Sequence, residues 1–185
     1  MSTERDRILS ELMLVRYRAG DPSALDELVK HWEGRLFYYI MRLVSNEDDA
    51  WDALQDTWFA LARTIDRLRD PRGLVVWLYK TARHKALDRL RERYKHRTVS
   101  VEDEQIAEVE EGVETFTFED AEQVHCALGK ISVPHREALT LFFLEDLSVA
   151  EIAKLLGIAT GTVKSRLHFA RKALRAVIEA EEAAE

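Results

Sequence analysis

The stretch TGTVKSRLHFARKALRAVI, residues 160–178, holds Lys164, Arg166, Arg171, Lys172 and Arg175 and no acidic residue, in a chain whose formal charge is −7. Val163, Leu167, Ala170, Leu174 and Val177 recur at intervals of four, three, four and three, which sets them on one face of an α-helix. With that face buried, Ser165, His168, Phe169 and Lys172 turn outward, flanked by Lys164, Arg166 and Arg175. Cations on the open face of a helix neutralise phosphates, and side chains in its first turns, Thr162 among them, reach base edges in a major groove. The residues just before fit this reading. Ser148 and Glu151 have the spacing of a capping box, and Ile152, Leu155 and Leu156 give a short helix its apolar side. Gly157 suits the left-handed turn that ends such a helix, and Thr160 can cap the next. Short helix, glycine turn and basic second helix make a helix-turn-helix pattern for binding duplex DNA.

A second basic stretch runs from Lys80 to Arg97, with eight Lys and Arg against Asp88 and Glu92. Between the two, residues 98–129 carry ten Asp and Glu and no Lys or Arg. Of the 34 acids, 24 therefore lie elsewhere, against 27 Lys and Arg, so the rest of the chain is net basic. Two cationic surfaces separated by an acidic connector point to two nucleic-acid contacts on one chain.

The elements that must position these surfaces read as all-α, because apolar residues keep a helical period and no alternating run suggests a strand. Residues 7–97 form a first bundle. Ser23 with Asp26 resembles a helix start, followed by Leu25, Leu28, Val29, Trp32, Leu36, Ile40 and Leu43. A second helix starts at Ser45, with Asp48 three residues on, and buries Ala50, Leu54, Trp58, Leu61 and Ile65. Pro71 and Gly73 break the pattern in RLRDPRG. A third helix turns Leu74, Leu78, Ala82, Ala86 and Leu90 to one side. Residues 98–118 are a flexible acidic linker. Residues 119–180 form a second small bundle with the helix-turn-helix. There Pro134 fits a first helical turn, Ala138, Leu141, Phe142 and Leu144 form the core side of one helix, and the EAEEAAE tail frays.

Several function classes fall away. The six histidines show no HExxH spacing, Cys126 is the only cysteine, and there is no GxxxxGK[ST] loop or GxSxG elbow, so neither catalysis nor a metal or cofactor is expected. Asp48, Asp49 and Asp52 lie close together but lack the loop of a calcium site. A lone cysteine, a polar N-terminus and no apolar run near the roughly 20 residues of a membrane span fit a cytoplasmic protein.

Over nearly its whole length the chain resembles the small, two-domain extracytoplasmic-function class of bacterial RNA polymerase sigma factors. GDPSALDELVKHWEGRLFYYIMRL is similar to that family's first region. DDAWDALQDTW matches its DAxDxxQxxF pattern at Asp49, Ala50, Asp52 and Gln55. VVWLYKTARHKALDRLR resembles the stretch that engages the −10 promoter element, and IAKLLGIATGTVKSRLHFARKALR resembles the helix-turn-helix that reads the −35 element. The resemblance implies that Asp49, Asp52, Gln55 and Asp56 dock on core polymerase. It implies that Arg69, Arg72, Trp77, Lys80, Arg83, His84 and Arg89 serve the −10 DNA, although Trp77, at the edge of the apolar face of its helix, is favoured for core packing over base contact. It implies that Thr162, Lys164, Ser165, Arg166, His168, Phe169, Arg171 and Lys172 serve the −35 DNA. An anti-sigma partner also follows from it, as does an acidic linker that mimics RNA in a polymerase channel, a solvated spacer being the alternative; a monomeric free state is expected, with oligomeric state otherwise open. A stand-alone helix-turn-helix regulator is the alternative.

Two positions depart from the family pattern. His84 stands where Asn is common, and Phe169 replaces the first Arg of RAR. Phe169 has no place in the predicted core, which leaves it a thymine methyl or a protein partner. Phe169→Arg is expected to change affinity or preference for the −35 element severalfold; promoter-binding curves superimposable on wild type would exclude this.

Overall fold

Helix α2 (Ser23–Val44) turns Leu28, Trp32, Leu36, Tyr39, Ile40 and Leu43 to one side at helical spacing, and all six are buried. Around it pack α1 (Thr3–Arg18), α3 (Glu47–Thr64) and α4 (Leu74–Tyr94). The computed structural model describes residues 3–68, 70–94 and 121–183, with no strand among them. The chain divides into two compact units, Met1–Val101 and Glu102–Glu185. The expected linker, residues 98–118, and Arg69 lie outside the described residues.

The core of the first unit is aromatic at its centre. Tyr79 of α4 meets Trp32 and Tyr39 of α2 edge-on, with ring centroids 6.0 and 5.2 Å apart. Trp32 is fully buried, and its indole N–H donates to Ser10 Oγ on α1 at 2.8 Å. Ser10 in turn donates to the Asp6 carbonyl at 2.7 Å, while Arg35 donates to Asp6 Oδ2 at 2.6 Å and lies over the Trp32 ring. One side chain thus fastens three helices, and its truncation to Ala costs about 3–5 kcal/mol. From the end of α1, Arg18 donates to the carbonyls of Ile65 and Leu68, holding the chain that leads into the turn before α4. In that turn Asp70 Oδ1 accepts from the Arg72 N–H at 3.0 Å, and Pro71–Gly73 form one 3₁₀ turn.

Three helix ends differ from the sequence expectation. Pro22, not Ser23, is the N-cap of α2, without a side-chain cap bond; ahead of it Asp21 Oδ1 accepts from both the Ser23 N–H and hydroxyl, and Ser23 is already helical. Ser45 closes α2 in a left-handed conformation (φ 54°) rather than opening α3. Asn46 caps α3 instead, accepting from the Asp49 N–H at 2.9 Å. Adjacent small polar residues compete for such ends, and backbone geometry decides between them.

The second unit comprises α5 (Ala121–Lys130), α6 (Val133–Leu139), α7 (Val149–Leu156) and α8 (Thr160–Glu182). Pro134 sits in the first turn of α6. After α6 the backbone takes a π-helical turn over Thr140–Leu144, where the Glu145 N–H reaches the Thr140 carbonyl. The extra residue in that turn rotates the pattern. Leu139 and Leu141 are buried while Phe143 and Leu144 are exposed and Phe142 half-buried, so the expected core role of Leu144 fails. Ala159 rather than Thr160 is the N-cap of α8, with no side-chain bond. The tail expected to fray continues α8 to Glu182, and Glu181 pairs with Lys130 of α5.

Arg16 ties α1 to the start of α2, donating to Asp21 Oδ2 at 2.7 and 3.0 Å and to Glu27 at 2.7 and 3.0 Å. Hydrogen bonds from Ser23 and then Arg16 hold the Asp21 carboxyl below the usual range, and the bond from Arg16 does the same for Glu27. A lowered carboxylate value stabilises the fold above the unfolded value of about 4 and is lost as pH falls through the folded one. Arg16→Gln should therefore melt a few degrees lower at most at pH 7, the groups being exposed, and the difference should shrink progressively as pH falls below about 4. A melting difference that stays constant down to pH 2 would show that the charges are not its source.

Candidate nucleic-acid interface

Each unit presents a cationic helix face. In the second unit the capping box forms as expected: Ser148 Oγ accepts from the Glu151 N–H, and Glu151 reaches back to the Ser148 N–H at 2.9 Å. Gly157 takes the left-handed conformation (φ 72°). Its N–H and that of Ile158 both turn back to the Ala153 carbonyl, which closes α7 and starts the turn into α8. Val163, Leu167, Ala170 and Leu174 then bury α8 against α5, α6 and α7. Lys164, His168, Phe169, Lys172 and Arg175 are exposed, with Thr162, Arg166 and Arg171 half-buried. Phe169 lies against the His168 ring edge at 5.3 Å and is 39% exposed. Such a face offers cations for phosphate and one apolar ring for a base methyl.

Two residues of that set differ from expectation. Ser165 is only 5% exposed, and its hydroxyl lies 3.5 Å from the Thr162 carbonyl of the preceding turn. A one-carbon side chain on a helix clasped by its neighbours cannot reach past the longer residues around it, so it is not part of the open face. Arg171 borders an apolar pocket lined by Val124, Leu128, Leu139, Phe143, Leu144 and Leu174, and so serves the edge of the unit as well as its basic side.

In the first unit Lys80 and His84 of α4 are exposed, Trp77 and Arg83 half-buried, and Arg72 exposed on the preceding turn. Their spacing of three and four places Trp77, Lys80, Arg83 and His84 on neighbouring positions of one side. Arg89 does not join them. Nine residues beyond Lys80 it lies roughly 180° around the helix, where it faces α3. There Nη2 is 3.0 Å from Asp56, and Nη1 is 3.7 Å from Asp52 and 3.5 Å from Glu92. Its expected role as a phosphate contact beside Lys80 is not the one it has in the free chain.

The expected docking residues lie along α3. Gln55 and Asp52 are exposed, whereas Asp56 is paired with Arg89, and Asp49 is half-buried in a 2.9 Å pair with Arg93. The sequence reading missed two neighbours. Trp51 and Phe59, four residues either side of Gln55, are 47% and 56% exposed. Trp51 stacks on Phe37 at 4.3 Å, which holds its outer face toward solvent. Two aromatic rings bracketing an amide and an acid fit a protein-binding patch better than a solvated face. Their spacing, set against the buried Ala50, Ala53, Leu54 and Leu61, was the available signal. Among the described residues no three His, Cys, Asp or Glu gather as metal ligands, and no helix is long and apolar enough to cross a membrane.

Comparison with known proteins covers both units. Residues 28–96 match sigma-70 region 2, and residues 121–174 match sigma-70 region 4. The ECF RNA polymerase sigma factor SigM of Mycobacterium tuberculosis is 34% identical over 163 residues, covering 88% of this chain and 81% of its own. RNA polymerase sigma factor SigV of Bacillus subtilis is 34% identical over 132 residues, covering 71% and 77%. Among solved structures, sigma factor RpoE of Bartonella quintana, in complex with the anti-sigma factor NepR, is similar with a TM-score of 0.65. It is 25% identical, covering 83% of this chain and 96% of that one.

Proposed function

We propose that this chain, which belongs to the extracytoplasmic-function class of the sigma-70 family of RNA polymerase sigma factors, divides promoter contact between its two units while core polymerase holds both. As a sigma factor it binds core RNA polymerase and directs promoter recognition and transcription initiation.

The residue assignments are ours. In the second unit, α8 lies in the major groove of the −35 element, with Lys164, Arg166, Arg171 and Lys172 along the phosphates and Thr162, His168 and Phe169 toward base edges. In the first unit, Arg72, Lys80 and Arg83 follow the −10 strand, with Arg69 joining them from outside the described residues. His84 offers a hydrogen bond to an unpaired base, and Trp77, half-buried, is the aromatic ring available for stacking. On α3, Asp52, Gln55 and Asp56 meet a basic polymerase surface, with Asp49 behind them and Trp51 and Phe59 as apolar anchors. The chain contributes binding and positioning; bond formation belongs to the polymerase, so we assign it no catalysis of its own. The same partner places its work in the cytoplasm. An anti-sigma factor that covers the docking face, with the chain a monomer when free, completes the proposal; the complex of the Bartonella quintana relative supports that class of partner.

The observation that carries this reading is one chain with two cation-bearing helices on separate units, one of them beside an acidic and aromatic helix edge. Lys164→Ala with Lys172→Ala, both exposed, should lower run-off transcription by reconstituted polymerase about tenfold at a −35-dependent promoter, leaving binding to core unchanged. Transcript yields equal to wild type across a promoter library would overturn the assignment of α8.

A further inference from the structure

The connection from α3 to α4 presents Arg72 yet has little apolar surface to hold it. Ile65 and Leu74 are fully buried, but no described residue between them is: Asp66, Arg67, Asp70 and Arg72 are exposed, and Leu68, Pro71 and Gly73 are half-buried. Its far end is fixed by Leu74, the first residue of α4. At its near end α3 runs out through the 3₁₀ turn Ile65–Arg67. A helix end leaves carbonyls without helical partners and carries a partial negative charge. Arg18 of α1 meets both needs. Its Nη2 donates to the Ile65 carbonyl at 3.4 Å and to the Leu68 carbonyl, 47 and 50 residues further along the chain.

Arg18 stands on a fixed post. It is the last residue of α1, and Gly20 closes that end in a left-handed conformation (φ 93°). Arg16, two residues earlier, ties the same end to Asp21 and Glu27 at the start of α2. α1 also packs directly against the Pro71–Gly73 turn. Arg18 itself is exposed, so the core does not depend on its side chain. An exposed cation bonded to two main-chain carbonyls of a distant connection sets where that connection lies, and adds little to the stability of the fold. We infer that Arg18 is a positioning residue for promoter recognition: it holds the connection so that Arg72 stands in register with Lys80 and His84 on α4. A strand held at Arg72 then arrives at His84 with the correct base, and a slipped turn delivers it out of place. The inference rests on our reading of Arg72, Lys80 and His84 as the −10 surface.

The test assembles the full chain with core polymerase and reads run-off transcription from a promoter library that varies the −10 element behind a fixed −35 element. Arg18→Gln should bind core as wild type does and melt within a few degrees of it. Its preference for the best −10 sequence over single-base variants should nevertheless shrink about fivefold, the lower end of what one base contact supplies. Arg72→Ala should shrink that preference too. The double variant should do no worse than Arg72→Ala alone, because both act through one turn. Arg18→Lys keeps the charge but not the reach of the planar guanidinium, and should recover only part of the loss. Wild-type preference in Arg18→Gln, a melting point far below wild type, losses that multiply in the double variant, or full recovery in Arg18→Lys would overturn the inference. Arg72→Ala separates the layers. If it loses preference while Arg18→Gln does not, the positioning role alone fails. If it leaves yield and preference unchanged, the reading of the turn as a −10 contact falls and the inference with it.

Discussion

The edge-to-face packing of Tyr79 against Trp32 and Tyr39 sets the direction of α4, and with it the direction of every cation that α4 carries. A helix rich in Lys and Arg has few apolar positions with which to hold itself in place. Here Leu74, Leu78, Tyr79, Ala82 and Ala86 are all fully buried, and they commit one side of α4 to the core. The remaining positions divide in two. Lys80 and His84 open to solvent with Arg83 half-buried beside them, while Arg89 and Arg93 turn to the acids of α3. Trp32 extends the same constraint to α1 through Ser10 and Asp6, so the turn before α4 is held from below by Arg18.

The net charge of −7 says little about this protein, because placement decides its chemistry. Exposed pairs stabilise little, and the fold does not rest on them. What the charges do is set partner preference: a basic face for phosphate on α8, another on α4, and a row of acids beside two aromatic rings on α3. The second unit reaches its basic face by a different route. Its capping box and left-handed glycine fix the turn, and the short α7 presents α8 across it. The two units solve the same problem, keeping cations outward on a helix whose other side is locked.

Much of this was legible in the sequence. The four-three spacing of Val163, Leu167, Ala170 and Leu174 gave the buried side of α8, and Gly157 and the Ser148–Glu151 pair gave its turn, because periodicity and capping are local properties. The misses have non-local causes. The Ser23 hydroxyl is drawn to Asp21 ahead of α2, and Arg16 holds that carboxylate from α1. The π-turn at Thr140–Leu144 rotated Leu144 outward, and no residue within it announces that turn. Ser165 falls on the outer side of α8 by angle yet is covered by its surroundings. Arg89 lay within a basic run, and only the packing of α3 on α4 separates it from Lys80.

The central claim is that two helices of separate units touch one promoter at two places while polymerase holds the chain. Photo-crosslinking tests it directly, with a benzophenone side chain placed at Phe169 in one protein and at His84 in another, each assembled with core polymerase on promoter DNA. The account predicts that the first crosslinks to duplex at the −35 element and the second to a separated strand at the −10 element, both only when polymerase is present. Crosslinks from both positions to the same element, or from neither, would contradict it.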